Sequence, residues 1–334
     1  MITPVGISVR QTSASVMAGI SRYRASAIFN RRYEPMILAS LPEEVVPPLE
    51  EALEGEGLSQ RARRMLRLAG PALNQARISL GPTELPALFL AVPETLPTMA
   101  PSVERTFLRH LHRQAGGGFA LERSRLFASG RAGGFEAASA ALDALSGKGN
   151  SVLVGGVDTH YDARLLSTLD LEGRILAEGV MDGFAPGEGA GFLLLGRRGP
   201  AEKPALANLY SPGIGAEAGH RYSTKPYLGD GLAGAIASAL DSAKGRPIPA
   251  VLSGLNGENH GAKEWGVSIA RNFDSFADPF RHDHPAEFYG DLGAATGPVL
   301  IGLAAFGLRQ GHFSGPCLTW CASDTALRGA AVVD

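Results

Sequence analysis

Hydrophobic and polar positions along the chain follow two patterns. Short apolar runs between Gly and Pro residues predict buried strands, and the clearest are Ala87 to Val92, Ser151 to Gly155 and Phe192 to Leu195. Longer segments rich in helix-forming and small residues predict helices. The predicted helices are Gln11 to Ile20, Pro47 to Gly55, Ser59 to Ala76, Val103 to Gln114, Gly134 to Leu145, Gly229 to Ala243, Gly261 to Asn272 and one that ends at Arg309.

The order of these elements predicts the architecture. From about residue 119 to 156 the pattern is strand, Gly-rich turn, helix and strand, which is a crossover in a buried parallel sheet. The second half repeats this style, with strands at Ala250 to Gly254, Cys317 to Cys321 and Ala330 to Val333, and charged residues from Arg197 to Lys203 predict a link. We therefore expect an α/β fold, a five-layer α/β/α/β/α sandwich of two similar halves, residues 1–198 and 199–334.

Composition narrows the class of protein. The 334 residues are 45% hydrophobic and 19% charged with a net charge of −2, so nothing predicts binding to nucleic acid or to a membrane. No apolar run reaches the roughly 18 residues of a membrane span, and the N-terminus lacks a signal-peptide layout, so a cytoplasmic protein is expected. The two cysteines, Cys317 and Cys321, have no His or Cys partners nearby, and no metal or cofactor is predicted.

Two Gly-rich segments are the most specific feature. Val154-Gly155-Gly156-Val157-Asp158 is followed by Asp182 to Gly191, in which five of ten residues are Gly or Pro. Such a segment brings the backbone close beneath another element before it enters a buried strand. The residues concerned are Gly155, Gly156, Asp158, Gly187, Glu188, Gly189 and Gly191.

The chain resembles the β-ketoacyl synthases of the thiolase superfamily. The places that carry the resemblance are Thr3-Pro4-Val5-Gly6 with Ala18-Gly19, Gly134 to Ala137, the two Gly-rich segments, and Gly293-Ala294-Ala295. They are similar to the family's T-P-x-G opening, its helix after the nucleophile, its G-G-x-(D/E) and D-G-F-x-x-G-E-G-A-G motifs, and its G-A-A. The family's first strand precedes T-P-x-G, so we expect a shortened start or an absent strand.

The resemblance implies a thiolase-like fold and a condensing enzyme that extends acyl chains on acyl carrier protein. In that family a cysteine at a helix N-terminus is acylated, where the helix dipole and backbone N–H groups stabilise thiolate and oxyanion. Two histidines assist decarboxylation. The family pairs subunits through a strand of the N-terminal half, so a homodimer, or a heterodimer with an active ketosynthase, is expected.

The family's cysteine position falls on Arg131, which cannot be a nucleophile. Either Arg131 holds a carboxylate, a phosphate or a neighbouring Asp, or it is a structural arginine in a site that has lost its chemistry. A shifted alignment places Ser129 at this position instead. Cys321 is a further possible substitute if its thiol faces the pocket, the alternative being a core cysteine.

Both family histidines are also replaced. Asn256 takes the place of the first and could still donate a hydrogen bond to a carbonyl or an oxyanion, while His260 is a nearby substitute candidate or a solvated loop residue. The second falls on Gly290 or, with a one-residue gap, on Asp291. We hypothesise that Asp291 pairs with Arg131.

Other polar residues are predicted to be structural. Glu188 is expected to accept turn N–H groups, and His282 and His284 to lie in a polar loop rather than to bind a metal. The arginines of the second long helix (Arg61, Arg63, Arg64 and Arg67) and the glutamates Glu43, Glu44, Glu50 and Glu51 are predicted to lie on solvated faces.

The main functional hypothesis is a synthase-like scaffold without condensing activity, comparable to a chain-length factor, with acyl carrier protein or acyl-CoA as further partners. One alternative is an acyltransferase or synthase with a non-standard site. The other is a pure interaction protein on a borrowed fold.

Overall fold

Strands and helices alternate along most of the chain, as the apolar pattern predicts. The computed structural model describes residues 1–78, 80–81, 84–147, 149–197 and 205–334. The helices within these ranges are α1 Val9–Met17, α2 Gln60–Arg77, α3 Phe107–Gln114, α4 Gly133–Ser146, α5 Ala163–Leu171, α6 Asp230–Ser242, α7 Asn259–Arg271, α8 Ala286–Tyr289 and α9 Thr296–Gln310. The strands are β1 Arg24–Phe29, β2 Pro35–Leu38, β3 Ala87–Ala91, β4 Arg125–Phe127, β5 Ser151–Thr159, β6 Glu188–Gly196, β7 Gly213–Ala216, β8 Ile248–Ser253, β9 Phe276–Asp283, β10 Cys317–Ala322 and β11 Leu327–Val333.

Two mixed sheets and three helical layers stack on one another. The first sheet has the order β6-β5-β3-β4 and the second β7-β11-β10-β8-β9, while β1 and β2 form a separate hairpin. Helices α4 and α9 lie between the two sheets, α2 covers the outer face of the first, and α6 covers the outer face of the second. This is the predicted five-layer α/β/α/β/α sandwich, because each sheet buries both of its faces.

The two sheets are built alike. In each, two parallel neighbours flank a central strand, and one of them pairs antiparallel with the next strand, β5 with β6 and β10 with β11. Strand β7 adds a fifth, antiparallel strand beside β11. At the matching edge of the first sheet, Ile2 makes an isolated antiparallel bridge with Ala190. The similarity of the halves is therefore a similarity of topology.

The central helices carry small residues because two sheets approach them. A Cβ on Gly134 of α4 would lie 2.8 Å from Pro298 Cγ of α9, so the two helices touch almost backbone to backbone. The remaining volume around these helices is filled by a cluster of buried residues that includes Phe135, Val299 and Leu300. A β-branched residue at position 134 would separate the layers.

Most predicted elements are confirmed within two or three residues, whereas β5 ends four residues later and β6 begins four residues earlier than predicted. Pro47 to Gly55 forms only the 3₁₀ turn Glu51–Leu53, since Pro47 and Pro48 lack the N–H groups that a helix needs. The helix predicted from Val103 begins at Phe107. The link predicted at Arg197 to Lys203 lies outside the described residues beyond Arg197, so the division at residue 198 stays a prediction.

Candidate functional site

The turn between β4 and α4 forms a sharp elbow. It is the 3₁₀ turn Gly130–Ala132, and Gly130 has a φ of 65°, in the left-handed region that glycine tolerates best. A Cβ at this position would collide with Glu94 Oε1. The tip of the elbow is thus a glycine covered by a carboxylate, and the next residue is Arg131.

Arg131 is buried and paired with two carboxylates. Its Nε donates to Asp291 Oδ2 at 2.6 Å, and its Nη1 donates to Asp324 Oδ1 at 2.9 Å. Burial alone would lower the pKa of Arg131, but the charges of Asp291 and Asp324 raise it well above its ordinary value. The hypothesised pairing of Arg131 with Asp291 is present in the structure.

Asn256 joins the same carboxylate. Its Nδ2 donates to Asp291 Oδ2 at 2.7 Å, and Asp291 Oδ1 accepts the N–H of Gly293 at 2.8 Å. Burial would raise the pKa of Asp291, yet the charge of Arg131, together with His160 and the hydrogen bonds from Arg131 and Asn256, lowers it to about 2. Gly290, the other candidate for the second histidine position, has a φ of 74° and contributes only backbone. Arg131 and Asn256, two of the positions singled out from the sequence, therefore meet at the ionised carboxylate of a third, Asp291.

The ion pairs continue away from the elbow. Arg174 donates to Asp324 Oδ2 at 2.9 Å and to Glu258 Oε1 at 2.8 Å, and Arg221 donates to Glu258 Oε1 at 2.8 Å. The guanidinium carbon of Arg174 lies 5.3 Å from the ring centroid of Phe184. We call Arg131, Arg174, Arg221, Asn256, Glu258, Asp291 and Asp324 the ion cluster. It joins loops of both halves of the chain.

Little space remains beside the ion cluster. The cavity bordered by Gly130, Arg131 and His160 has a volume of about 40 Å³, room for one or two water molecules. Pockets that enclose organic ligands measure roughly 300–1,000 Å³. His160 is buried, and its Nδ1 lies 3.1 Å from the Gly187 carbonyl oxygen. An acyl chain does not fit in this cavity.

A second set of buried ion pairs holds the Gly-rich motifs. Arg64 donates to both oxygens of Glu188, at 2.7 and 2.9 Å, and Leu41 N donates to Glu188 Oε1 at 2.8 Å. Arg61 Nη2 donates to Asp158 Oδ1 at 2.7 Å. Glu188 thus accepts one backbone N–H, from the distant Leu41 rather than from its own turn as expected, and its main partner is Arg64.

The prediction of a solvated arginine face on α2 is wrong for Arg61 and Arg64. Arg61 is 7% exposed and Arg64 donates to the fully buried Glu188. Arg61 lies on the same helical stripe as the buried Met65 and Leu68, at spacings of four and seven residues. This spacing in the sequence was the signal that Arg61 is buried. Glu43 is exposed as predicted, although it pairs with Arg67 at 2.5 Å.

The motif glycines allow close backbone approach. A Cβ on Gly187 would lie 2.6 Å from the Tyr289 carbonyl oxygen, and one on Gly189 would lie 2.7 Å from that of Ile2. Gly156 faces the Ala294 carbonyl oxygen and Gly191 faces Val299 in the same way, while Gly155 packs against the Phe192 ring. The contacts of Gly156, Gly187 and Gly191 bring these motifs close to residues 289–299, the segment that carries Asp291.

Among the described residues, no histidine bonds to either proposed substitute nucleophile. Ser129 Oγ donates to Glu136 Oε2 at 2.6 Å. Cys321 is a core residue of β10, and burial raises the pKa of its thiol well above the ordinary value. Neither environment resembles the Ser–His or Cys–His pair that activates a nucleophile.

The candidate histidines lie elsewhere. His260 stacks on Tyr227 with ring centroids 4.1 Å apart, and burial lowers its pKa to about 4. His282 lies in β9, not in the expected loop, with its ring 4.9 Å from that of Trp265. In the described ranges, no three His, Cys, Asp or Glu side chains form a group that could hold a metal ion.

Sequence reasoning missed most of the ion cluster. Arg174, Glu258 and Asp324 come from loops separated by 84 and 66 residues along the chain, and Glu94 comes from a fourth. Nothing in their local sequence distinguishes them from surface charges. His160, two residues after Asp158, could have been noticed because it extends a specific motif.

Solved structures with this fold are numerous, although their sequences are distant. A type II polyketide ketosynthase complex with its acyl carrier protein (AntDE:AntF) has a TM-score of 0.78 at 14% identity, with 99% of this chain and 96% of that chain covered. A β-ketoacyl synthase from Burkholderia phymatum gives 0.76 at 15% identity, covering 99% and 96%. A ketosynthase with its chain length factor from Xenorhabdus doucetiae gives 0.74 at 15% identity, covering 99% and 95%.

These likenesses establish a fold shared with ketosynthases and chain length factors over almost the whole chain. The resemblance predicted from sequence is therefore confirmed as a resemblance of fold. The sequence matches no protein-family model and none of the curated proteins. Within the described residues, no helix is long and apolar enough to span a membrane.

Proposed function

We propose that this chain is a ketosynthase-like subunit without condensing activity, which pairs with an active ketosynthase and shapes the acyl chains that the pair builds. The observation that supports this proposal is that the side chains of Arg131 and Asn256 both donate hydrogen bonds to Asp291. Condensation needs a nucleophile and two proton-handling groups. Here the corresponding side chains are used in contacts among themselves.

The elbow supports the same proposal. Gly130 has no side chain, and Glu94 occupies the space next to it. The cavity of about 40 Å³ leaves no room for an acyl intermediate. We therefore expect a subunit that retains the fold but has a filled site to act by binding other proteins.

The choice of partner rests on the similar structures. One is described as a ketosynthase in complex with its chain length factor, and another as a ketosynthase with its acyl carrier protein. The carrier protein is the second partner that we propose. Strand β4 lies at one edge of the first sheet. Among the described residues no strand pairs with its outer side, so that side is open to a strand of another subunit.

The test is reconstitution with a paralogous ketosynthase that has an intact Cys-His-His set. Light scattering should show a one-to-one complex, and only the complex should condense malonyl-carrier protein. Intact-mass spectrometry should show the acyl group on the ketosynthase and none on this chain. The matched control replaces the ketosynthase's cysteine by alanine, which should leave pairing intact and abolish condensation. A monomer in the mixture, or an acyl adduct on this chain alone, would contradict the proposal.

Acyl transfer through Ser129 or Cys321 remains an alternative that no contact favours. The same mass measurement tests it directly. A stable adduct that is lost in Ser129→Ala would establish that serine as the nucleophile.

A further inference from the structure

The N-terminal segment has an unusual charge. Residues 1–33 contain five arginines and no Asp or Glu, in a chain whose net charge is −2. Most arginines in the body of the protein pair with carboxylates, such as Arg61 with Asp158. Among the described residues, no carboxylate forms an ion pair with any of the five. They are Arg10, Arg22, Arg24, Arg31 and Arg32, all exposed.

Four of these arginines flank or belong to the β1–β2 hairpin, and its tip is held in a defined shape. Asn30 is buried, and its Oδ1 accepts the N–H groups of Arg32 at 2.8 Å and Glu34 at 2.9 Å. Tyr33 has a φ of 62°, which is strained for a bulky residue, and it is 88% exposed. The local hydrogen bonds hold an aromatic ring and two guanidinium groups out in solvent.

The outward face of the hairpin is apolar. Side chains alternate along β1, so Ile28 packs against the protein while Phe29 points outward and is 57% exposed. Beside the tip lies a hollow of about 220 Å³ that is bordered by Arg31, Arg32 and the exposed Met181, and also by Asp170 and Asp182, which come later in the sequence than the hairpin. Arginine and aromatic side chains around an apolar centre are the composition of protein interfaces.

We infer that this hairpin surface, formed by Arg22, Arg24, Phe29, Arg31, Arg32 and Tyr33, docks an acidic carrier protein. The inference rests on the proposed function for the identity of the partner. Clustered arginines recognise acidic surfaces, and the exposed rings supply the apolar contact that fixes the position.

The charges disfavour other occupants. A second copy of this chain would place arginines against arginines in a two-fold interface. A nucleic acid usually requires a larger basic area on a basic domain, whereas this chain has a pI of about 6.5. A membrane surface is the remaining competitor, and the test includes it.

The experiment measures the affinity of labelled, phosphopantetheinylated acyl carrier protein for this chain by fluorescence anisotropy. Arg31→Glu/Arg32→Glu should weaken binding at least about tenfold at low salt, because two attractive charges become repulsive. The matched control, Arg105→Glu/Arg109→Glu, reverses two exposed arginines on or beside α3 that form no ion pair with any described residue, and it should change affinity less than twofold. Tyr33→Gly should weaken binding while the fold persists, since glycine accepts the backbone angle of residue 33.

Several results would overturn the inference. The first is that the parent chain does not bind the carrier protein, and the second is that the charge-reversed variant binds it equally well. The third is that phosphatidylglycerol vesicles or single-stranded DNA bind in an arginine-dependent way while the carrier protein does not bind. Light scattering with the ketosynthase is measured separately. Failure of that pairing with carrier binding intact would refute the proposed function and leave the docking surface supported.

Discussion

The two halves of this protein contain one elbow each, and the elbows differ in what they hold. The first is the turn Gly130–Ala132 before α4, and the second is the turn Gly293–Ala295 before α9. Both begin with a glycine of positive φ, 65° and 52°, and a Cβ on either glycine would collide with a carboxylate oxygen. The fold thus builds the same turn twice.

The difference lies in the charges at the two helix starts. At the second elbow, Asp291 and Asp158 accept the N–H groups of Gly293 and Ala294, and negative charge at a helix N-terminus is favourable. At the first elbow the side chain is the cationic Arg131, which is unfavourable there. Asp291 compensates because it bonds both Gly293 and Arg131. One shared carboxylate therefore couples the two elbows, and changing it should affect both.

The largest effect is expected from Asp324→Ala. This carboxylate pairs with both Arg131 and Arg174, and its loss takes one anion from each of these buried cations, which keep Asp291 and Glu258 as partners. We expect the free energy of unfolding, measured in urea, to fall by about 3–5 kcal/mol. Asp230→Ala, which removes an exposed partner of Arg271, should cost less than about 1 kcal/mol. Similar losses in the two variants would show that the ion cluster does not stabilise the first elbow.

A double-mutant cycle tests the coupling between the elbows. Arg131→Met and Asp291→Leu should each destabilise by about 2–4 kcal/mol, because the first leaves the buried Asp291 without its arginine and the second leaves Arg131 with Asp324 alone. The double variant should lose about 1–3 kcal/mol less than the sum of the single losses. Strict additivity in urea unfolding would contradict the direct pair.

The glycines test whether the two turns are equivalent. Gly130→Ala and Gly293→Ala each place a Cβ on a left-handed residue and against a carboxylate, so each should cost about 1–3 kcal/mol. Gly234→Ala in α6, where the new methyl group meets nothing within 4 Å, is the control and should stabilise slightly. A neutral Gly130→Ala would mean that the first elbow is less constrained than the second.

The smallest expected effect is a change of stability with pH that arises outside the two elbows. Burial lowers the pKa of His282 to about 4, below the unfolded value of about 6.5, so its neutral form stabilises the fold above pH 6.5. That stability is lost as the pH falls from 6.5 towards 4, and Tm should decline in this window. The Asp291 pKa of about 2 keeps the ion cluster charged until lower pH. His282→Gln should reduce the decline between pH 6.5 and 4.5, and an unchanged decline would assign it elsewhere.

Much of the fold could be predicted from the sequence because its signals are local. Ser59 begins α2 as a capping residue, and the apolar run from Ala87 forms a strand within one residue of its predicted end. The Gly-rich segments were recognisable because close backbone approach excludes side chains at fixed positions. Arg131 and Asp291 were found by their place in motifs, and their pairing was a hypothesis that the structure bears out.

The sequence by itself determined the layers and the elbow positions, since periodicity and glycine spacing are properties of neighbouring residues. Only the tertiary structure decided which charged side chains meet at the elbows. Asp324 reaches Arg131 across 193 residues of chain, and Arg61 reaches Asp158 across 97. A charge becomes a buried partner only where folding removes water from it, and no local pattern records which distant loop will supply the opposite charge.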